Sequence, residues 1–187
     1  MSVMHSVRPR WILSAAAMLF AAGIATSASG PPQAKAKAPE KPLPPALTKP
    51  VGELTVDEET EFSEAAEKTM ERVCIACHPF ENIVKTRRNP KEWTDQVTVM
   101  AQRGAPGTDP DFSLVKKYLI RYYGIVRVNS ATAEELSVVL GLPMKVATAV
   151  VEYRTANGKF TDLASLAKVE GVDKAKLEEQ PEAILFN

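Results

Sequence analysis

Two stretches with the same pattern decide the fold of the C-terminal third of this chain. Residues 132–147 are TAEELSVVLGLPMKVA and residues 162–177 are DLASLAKVEGVDKAKL. A constant offset of 30 residues superposes Gly141 on Gly171 and Val139 on Val169. Apolar residues recur at helical spacing on both sides of each glycine, so each copy predicts a helix, a tight turn and a second helix. The repeat indicates stacked helical units.

The sequence before the repeat also favours helices. Thr55 and Glu58 form a capping-box pattern, and the apolar residues that follow recur at helical spacing as far as Cys74. Pro90 opens a second helix, and a third helix runs to Gly124. No stretch before residue 125 predicts a strand. We therefore predict an all-α protein.

The first 54 residues differ in composition from the rest. A basic start and an apolar run end in small residues near residue 28, which is typical of a secretory signal peptide over residues 1–28. The alternative is an uncleaved membrane anchor, for which the apolar run is short. Seven of the 14 prolines lie between Pro31 and Pro50, so residues 29–54 are predicted to be a Pro/Ala/Lys-rich linker. We expect a periplasmic or otherwise exported protein that contacts a membrane only if the signal segment stays uncleaved.

The overall charge argues against a broad basic surface. The chain has 23 basic and 23 acidic residues, and loss of Arg8 and Arg10 with the signal peptide leaves 21 against 23, a formal charge of −2. From residue 125 onward seven basic residues face nine acidic ones. Extensive phosphate neutralisation needs the opposite balance.

Both cysteines of the chain belong to one motif. Cys74 and Cys77 are followed directly by His78. Cys-x-x-Cys-His is the attachment signature of c-type haem, in which both thiols bind the porphyrin and the imidazole binds the iron. The alternatives are a thioredoxin-like redox site, which needs an α/β setting that the sequence lacks, and a zinc site, which needs further ligands. We predict one covalently attached haem c.

The candidates for the second iron ligand can be reduced by excluding residues that are removed or badly placed. His5 leaves with the signal peptide, and the remaining methionines are Met70, Met100 and Met144. Met70 lies on the helix that carries the motif, and Met144 lies in the repeat. Met100 shares a helical face with Trp93 and is the remaining candidate, while core packing is the alternative role for a methionine on an apolar face.

Residues 56–124 resemble the single-haem cytochrome c domains of exported bacterial electron carriers, above all the haem domains associated with quinohaemoprotein amine dehydrogenases. The resemblance rests on Cys-Ile-Ala-Cys-His at 74–78 and on Trp-x-x-x-Val-x-x-Met at 93–100. It implies that Met100 is an axial ligand beside His78 and that Trp93 packs on the haem. Filled coordination favours electron transfer to a redox protein partner over catalysis such as peroxidation, which needs an open site.

Two arginines follow the motif. Arg87 and Arg88 are candidates for pairing with the haem propionates. The alternative is a solvent-exposed loop, and the sequence leaves both open.

Residues 128–186 resemble the tandem helix-hairpin-helix domain of competence DNA receptors of the ComEA type. In DNA-binding members a glycine-apolar-glycine turn presents backbone N–H groups to a phosphate. Here Pro143 and Asp173 replace the second glycine. Proline lacks an N–H group, and a carboxylate repels phosphate. The same fold in an extrinsic photosystem II subunit docks to protein. Candidate contacts to a phosphate or a partner are Gly141, Lys145, Gly171, Lys174 and Lys176.

The predicted architecture is a haem domain over residues 55–124 and a separately folding helix-hairpin-helix domain over residues 125–187. The predicted function is that of an exported monohaem cytochrome, an electron carrier rather than an enzyme, whose second domain docks to a protein partner. The alternative is a DNA-binding protein of the DNA-uptake kind that carries an auxiliary haem. An inert spacer is the third option for the second domain.

Overall fold

The computed structural model describes residues 49–187, and helices dominate them. The predicted all-α class is confirmed. The predicted signal peptide and most of the linker lie outside the described residues. None of the helices within residues 49–187 is long and apolar enough to cross a membrane. The elements in chain order are α1 (Val56–Met70), α2 (Phe80–Val84), α3 (Pro90–Gln102), α4 (Asp109–Tyr123), β1 (Val126–Arg127), α5 (Ala133–Leu140), α6 (Met144–Asn157), α7 (Leu163–Leu166), α8 (Lys174–Glu178) and β2 (Ile184–Leu185).

Capping boxes start most of the longer helices. The predicted boxes at Thr55 and Thr132 are present, each with its glutamate three residues on. Asn89 and Thr108 start α3 and α4 in the same way. Each box satisfies two N–H groups that would otherwise lack a partner, and loss of such a cap costs about 1 kcal/mol.

Helix α1 continues into a π-helical turn over Glu71–Ile75. This turn carries Cys74, and Cys77 lies two residues after its end, where its N–H donates to the carbonyl oxygen of Cys74 at 3.3 Å. The sequence predicted a helix running into the cysteine pair but not its π-helical widening, because that change in hydrogen bonding leaves no mark in apolar spacing.

The repeat folds as predicted, with α5 and α6 in the first copy and α7 and α8 in the second. Gly141 and Gly171 have φ of 64° and 87°, a left-handed backbone that favours glycine at the end of a helix. A Cβ atom on Gly171 would lie 2.8 Å from Cγ2 of Val146. The second turn therefore lies directly against the first turn of α6.

A parallel pair of short strands closes this module. Val126 of β1 pairs with Ile184 of β2, which brings the start of the module beside the C-terminal residues. Asn129 fastens the same region, since its side-chain amide donates to the carbonyls of Phe160 and Phe186 and accepts from the N–H of Phe160. The sequence predicted neither strand, because two-residue strands carry no alternating pattern.

Residues 51–53 are ordered, although they fall within the predicted linker. Val51–Glu53 form a 3₁₀ turn, and Val51 is buried. Lys49 pairs with Glu58 at the start of α1. Burial of a bulky apolar side chain explains the difference, because it stabilises a segment that proline-rich sequence alone would leave extended.

A single hydrophobic core runs through residues 51–184. Trp93 of α3 is fully buried, and its indole Nε1 donates to the carbonyl oxygen of Tyr123 at 3.0 Å. The N–H of Ile125 donates to the carbonyl of Arg88 at 3.0 Å. The C-terminal repeat therefore shares its core with the helices before it, and separate folding of residues 125–187 stays a prediction.

Candidate functional site

Most residues singled out around the cysteine motif line one cavity of about 600 Å³. The turn after α1 supplies Cys74, Cys77 and His78, and α3 supplies Trp93 and Met100. The rest of the wall is mainly apolar and is formed by Val73, Ile83, Val97, Phe112, Val115 and Leu119 among others. The prediction that Met100 and Trp93 share one face of α3 agrees with this arrangement.

The polar groups of the cavity differ in exposure. Cys77 is exposed, whereas Cys74 is half-buried, and burial together with the nearby Cys77 thiol raises the pKa of the Cys74 thiol. Nδ1 of His78 is buried and has no hydrogen-bond partner within residues 49–187. The guanidinium of Arg88 lies 5.0 Å from the centre of the Trp93 ring, a cation–π contact.

Arg87 does not take the predicted position. Its guanidinium donates to the carbonyl oxygens of Tyr122 and Gly124 at 3.0 and 3.3 Å and pairs with Glu182. It is absent from the cavity wall, whereas Arg88 is part of it. Arg87 therefore fastens the end of α4 to the C-terminal region.

The prediction of a haem c cofactor is wrong, and the arrangement of metal-binding side chains is the observation that corrects it. Across residues 49–187, no three or more His, Cys, Asp or Glu side chains come together in a way that could hold a metal ion. Cys74, Cys77 and His78 are adjacent in sequence but do not form such a group, and both cysteines are free. The predicted ligand roles of His78 and Met100, and the predicted electron transfer, depended on that cofactor.

Thiol alkylation provides a test of this correction. In the reduced chain we expect iodoacetamide at about pH 8 to modify Cys77 severalfold faster than Cys74, because the thiolate is the reactive form and burial disfavours it at Cys74. Peptide mapping by mass spectrometry over time measures both rates. Equal rates would contradict the difference in burial. Failure of both thiols to react would show that the sulfurs are already bonded, and would reverse the correction.

The first hairpin consists of α5, the turn at Gly141 and α6, and the second consists of α7, the turn at Gly171 and α8. The first has backbone N–H groups available at the start of α6. Helix α6 begins at Met144 after Pro143, and no side chain caps it. The N–H of Val146 donates to the carbonyl of Pro143 at 2.9 Å, while the N–H groups of Met144 and Lys145 have no partner within the helix. Lys145 is exposed beside them. Within residues 49–187, this turn thus joins N–H groups that have no backbone partner to a positive charge.

The second hairpin is closed to an anion. Oδ1 of Asp173 accepts from the N–H groups of Ala175 and Lys176 at 3.0 and 3.4 Å, which occupies two of the donors in the first turn of α8 and places a carboxylate there. Lys174 pairs with Glu178 on the same helix. The prediction that Asp173 works against a phosphate at this turn agrees with this geometry.

The C-terminal part of the chain is similar to known proteins. Residues 123–182 match the helix-hairpin-helix motif family. The helix-hairpin-helix match begins at the last residue of α4 and ends within the segment before β2. It includes both hairpins and excludes the Cys74 motif.

Several relatives share a limited stretch with this chain. An uncharacterized protein of Haemophilus influenzae is 39% identical over 62 residues, which are 33% of this chain and 55% of that protein. ComE operon protein 1 of Bacillus subtilis is 35% identical over 54 residues, 29% of this chain and 26% of that protein. The human endonuclease/exonuclease/phosphatase family domain-containing protein 1 is 43% identical over 54 residues, 29% of this chain and 10% of that protein.

The chain thus spans about half the length of the Haemophilus relative and less of the others. No solved structure matches it. The helix-hairpin-helix match and the Bacillus relative support the ComEA-like part of the predicted resemblance. Nothing in these comparisons supports the cytochrome c part.

Proposed function

We propose that this protein is an exported, non-enzymatic DNA-binding protein, of the kind that takes part in DNA uptake, and that its helix-hairpin-helix module binds the phosphate backbone of duplex DNA. The observation that carries the proposal is the match of residues 123–182 to the helix-hairpin-helix family. The similarity to ComE operon protein 1 supports the same proposal. The proposal replaces docking to a protein partner, which was predicted from Pro143, Asp173 and the net acidic charge of this part of the chain.

The first hairpin is the proposed phosphate site. The N–H groups of Met144 and Lys145, which have no backbone partner in the part of the chain that the structure describes, lie at the positive end of the α6 dipole, where an anion is favoured. Lys145 adds a full positive charge at the same end. Contacts of this kind hold the DNA backbone without reading base sequence, so we expect little sequence preference.

Pro143 matters less than the sequence suggested. It is the residue that precedes α6, with φ of −53° and ψ of 142°. The donors that face an anion at a helix start belong to the first residues of the helix itself, here Met144 and Lys145. The proline therefore removes an N–H group that is not needed, and its fixed φ suits the residue before a helix.

Salt dependence provides the direct test. A fluorescent duplex titrated with the full chain should bind about tenfold more weakly at roughly 200 mM salt than at 50 mM, as expected for about two neutralised phosphates. Lys145→Ala should weaken binding and reduce the salt slope by about one. Lys174→Ala is the matched control, since Lys174 is paired on the closed hairpin, and should change little. Binding without salt dependence, or equal losses in both variants, would contradict the proposal.

A further inference from the structure

Arg121 reaches the first hairpin from outside the helix-hairpin-helix match. It lies on α4, two residues before that match begins. Its Nη1 donates to the carbonyl of Val139 at 3.4 Å and to Oε1 of Gln180 at 2.9 Å. A Cβ atom on Gly141 would lie 2.8 Å from its Nη2. The guanidinium therefore packs against Gly141, the glycine of the turn.

Glu59 of α1 fixes the orientation of this guanidinium. Oε1 of Glu59 accepts from Nε of Arg121 at 3.1 Å and lies 3.1 Å from Nη2. The Arg121 side chain is 15% exposed, and its guanidinium lies 5.3 Å from the centre of the Tyr122 ring. Burial and Glu59 also raise the pKa of Tyr122 to about 12. A guanidinium paired in this way contributes little net charge to the surface.

Side chains bond to three backbone carbonyl groups in and beside the turn. Arg121 holds the carbonyl of Val139, Nε2 of Gln180 donates to the carbonyl of Leu140 at 3.3 Å, and Oγ of Ser137 donates to the carbonyl of Leu142 at 2.7 Å. Val139 and Leu140 end α5, where the helix dipole leaves partial negative charge that a cation stabilises. Satisfied carbonyls fix the direction in which the turn enters α6.

We propose that Arg121 is a positioning residue for DNA binding, which holds the first hairpin so that the N–H groups of Met144 and Lys145 face a phosphate. The inference rests on the proposed function. Capture of an anion by backbone donors depends on their orientation, and a planar guanidinium with several directed N–H groups fixes orientation better than an ammonium. The helices before the repeat thus act in DNA binding through this one side chain.

The test is Arg121→Lys in the full chain, which keeps the charge and removes the planar fork. We expect duplex affinity to fall about tenfold, the loss expected when a charge-assisted hydrogen bond at a binding turn is removed. Arg127→Lys is the matched control, because Arg127 is an exposed arginine of the same module, and should bind as the unaltered chain does. Circular dichroism checks that each variant is folded.

A double-mutant cycle separates positioning from general structural support. If Arg121 acts through the first hairpin, Arg121→Lys should have a smaller effect once Met144→Pro has removed one of the N–H groups that it positions, a change that the first position of a helix tolerates. Additive losses would overturn the proposal. If Arg121→Lys does not fold, Gln180→Ala takes its place in the cycle, because it removes the bonds to Leu140 and to Arg121.

The failures of the two proposals are distinguishable. If the unaltered chain shows no salt-dependent binding of the duplex, the proposed function is overturned. If the unaltered chain binds but Arg121→Lys binds equally well, only the positioning role is overturned. A loss in Arg127→Lys equal to that in Arg121→Lys would also overturn the positioning role.

Discussion

Replacement of Trp93 by alanine is expected to lower the free energy of unfolding by about 3–5 kcal/mol. The side chain is fully buried, and it lies between the cavity wall and the end of α4. Its removal would enlarge that cavity and remove the shorter of two hydrogen bonds to the carbonyl of Tyr123, which also accepts from the N–H of Arg88 at 3.4 Å. Both effects destabilise the folded state, because lost packing and a lost hydrogen bond each carry a cost. Urea unfolding followed by circular dichroism measures the change.

Trp93→Phe is the matched control for this prediction. It keeps an aromatic ring beside Arg88 but removes the donor to Tyr123, so we expect a loss of about 1–2 kcal/mol. Intrinsic fluorescence is unsuitable as the probe because Trp11 is the only other tryptophan in the chain. A loss below about 1 kcal/mol in Trp93→Ala would contradict the central place of this ring in the shared core.

Replacement of Gly52 by alanine is expected to cost about 2–3 kcal/mol, because overpacking against backbone forces the chain to move. A Cβ atom at this position would overlap the carbonyl oxygen of Leu142 and lie 2.9 Å from Oγ of Ser137. The 3₁₀ turn has little room to retreat, since Val51 is buried. Thermal or urea unfolding of the full chain measures the loss.

Glu53→Ala provides the comparison within the same 3₁₀ turn. Glu53 is exposed, so its replacement should change the free energy of unfolding by no more than about 0.5 kcal/mol. If Gly52→Ala were as stable as the unaltered chain, the turn would not pack on the first hairpin. In that case the segment would belong to the linker, as its proline content predicted.

Local patterns predicted the elements of the fold well. Capping residues such as Thr55 and Thr132, and the glycines of the repeat, act through bonds and dihedral angles within a few residues, and sequence spacing reports such effects directly. The competition of Asp173 with a phosphate could also be predicted, because its carboxylate lies within two or three residues of the N–H groups it caps.

The motif at Cys74 shows the limit of such inference. The residue order of Cys-x-x-Cys-His is present, yet within residues 49–187 no group of three metal-binding His, Cys, Asp or Glu side chains comes together, and such grouping depends on backbone directions that spacing does not specify. Arg87 shows the same limit. Its neighbour Arg88 faces the cavity, whereas Arg87 bonds to residues 35 and more positions away in the chain.

The sequence by itself determined the helical class, the two hairpins and the opposition of Asp173 to a phosphate, because each depends on residues that are close along the chain. Only the tertiary structure decided that Val51–Glu53 belong to the folded part, that one core joins both halves, and that Arg121 stands behind Gly141. Glu59 and Gln180, which hold that guanidinium, lie 62 and 59 residues from it. Contacts at such separations leave no local pattern, since they arise only when distant apolar faces pack together and bring polar side chains within bonding distance.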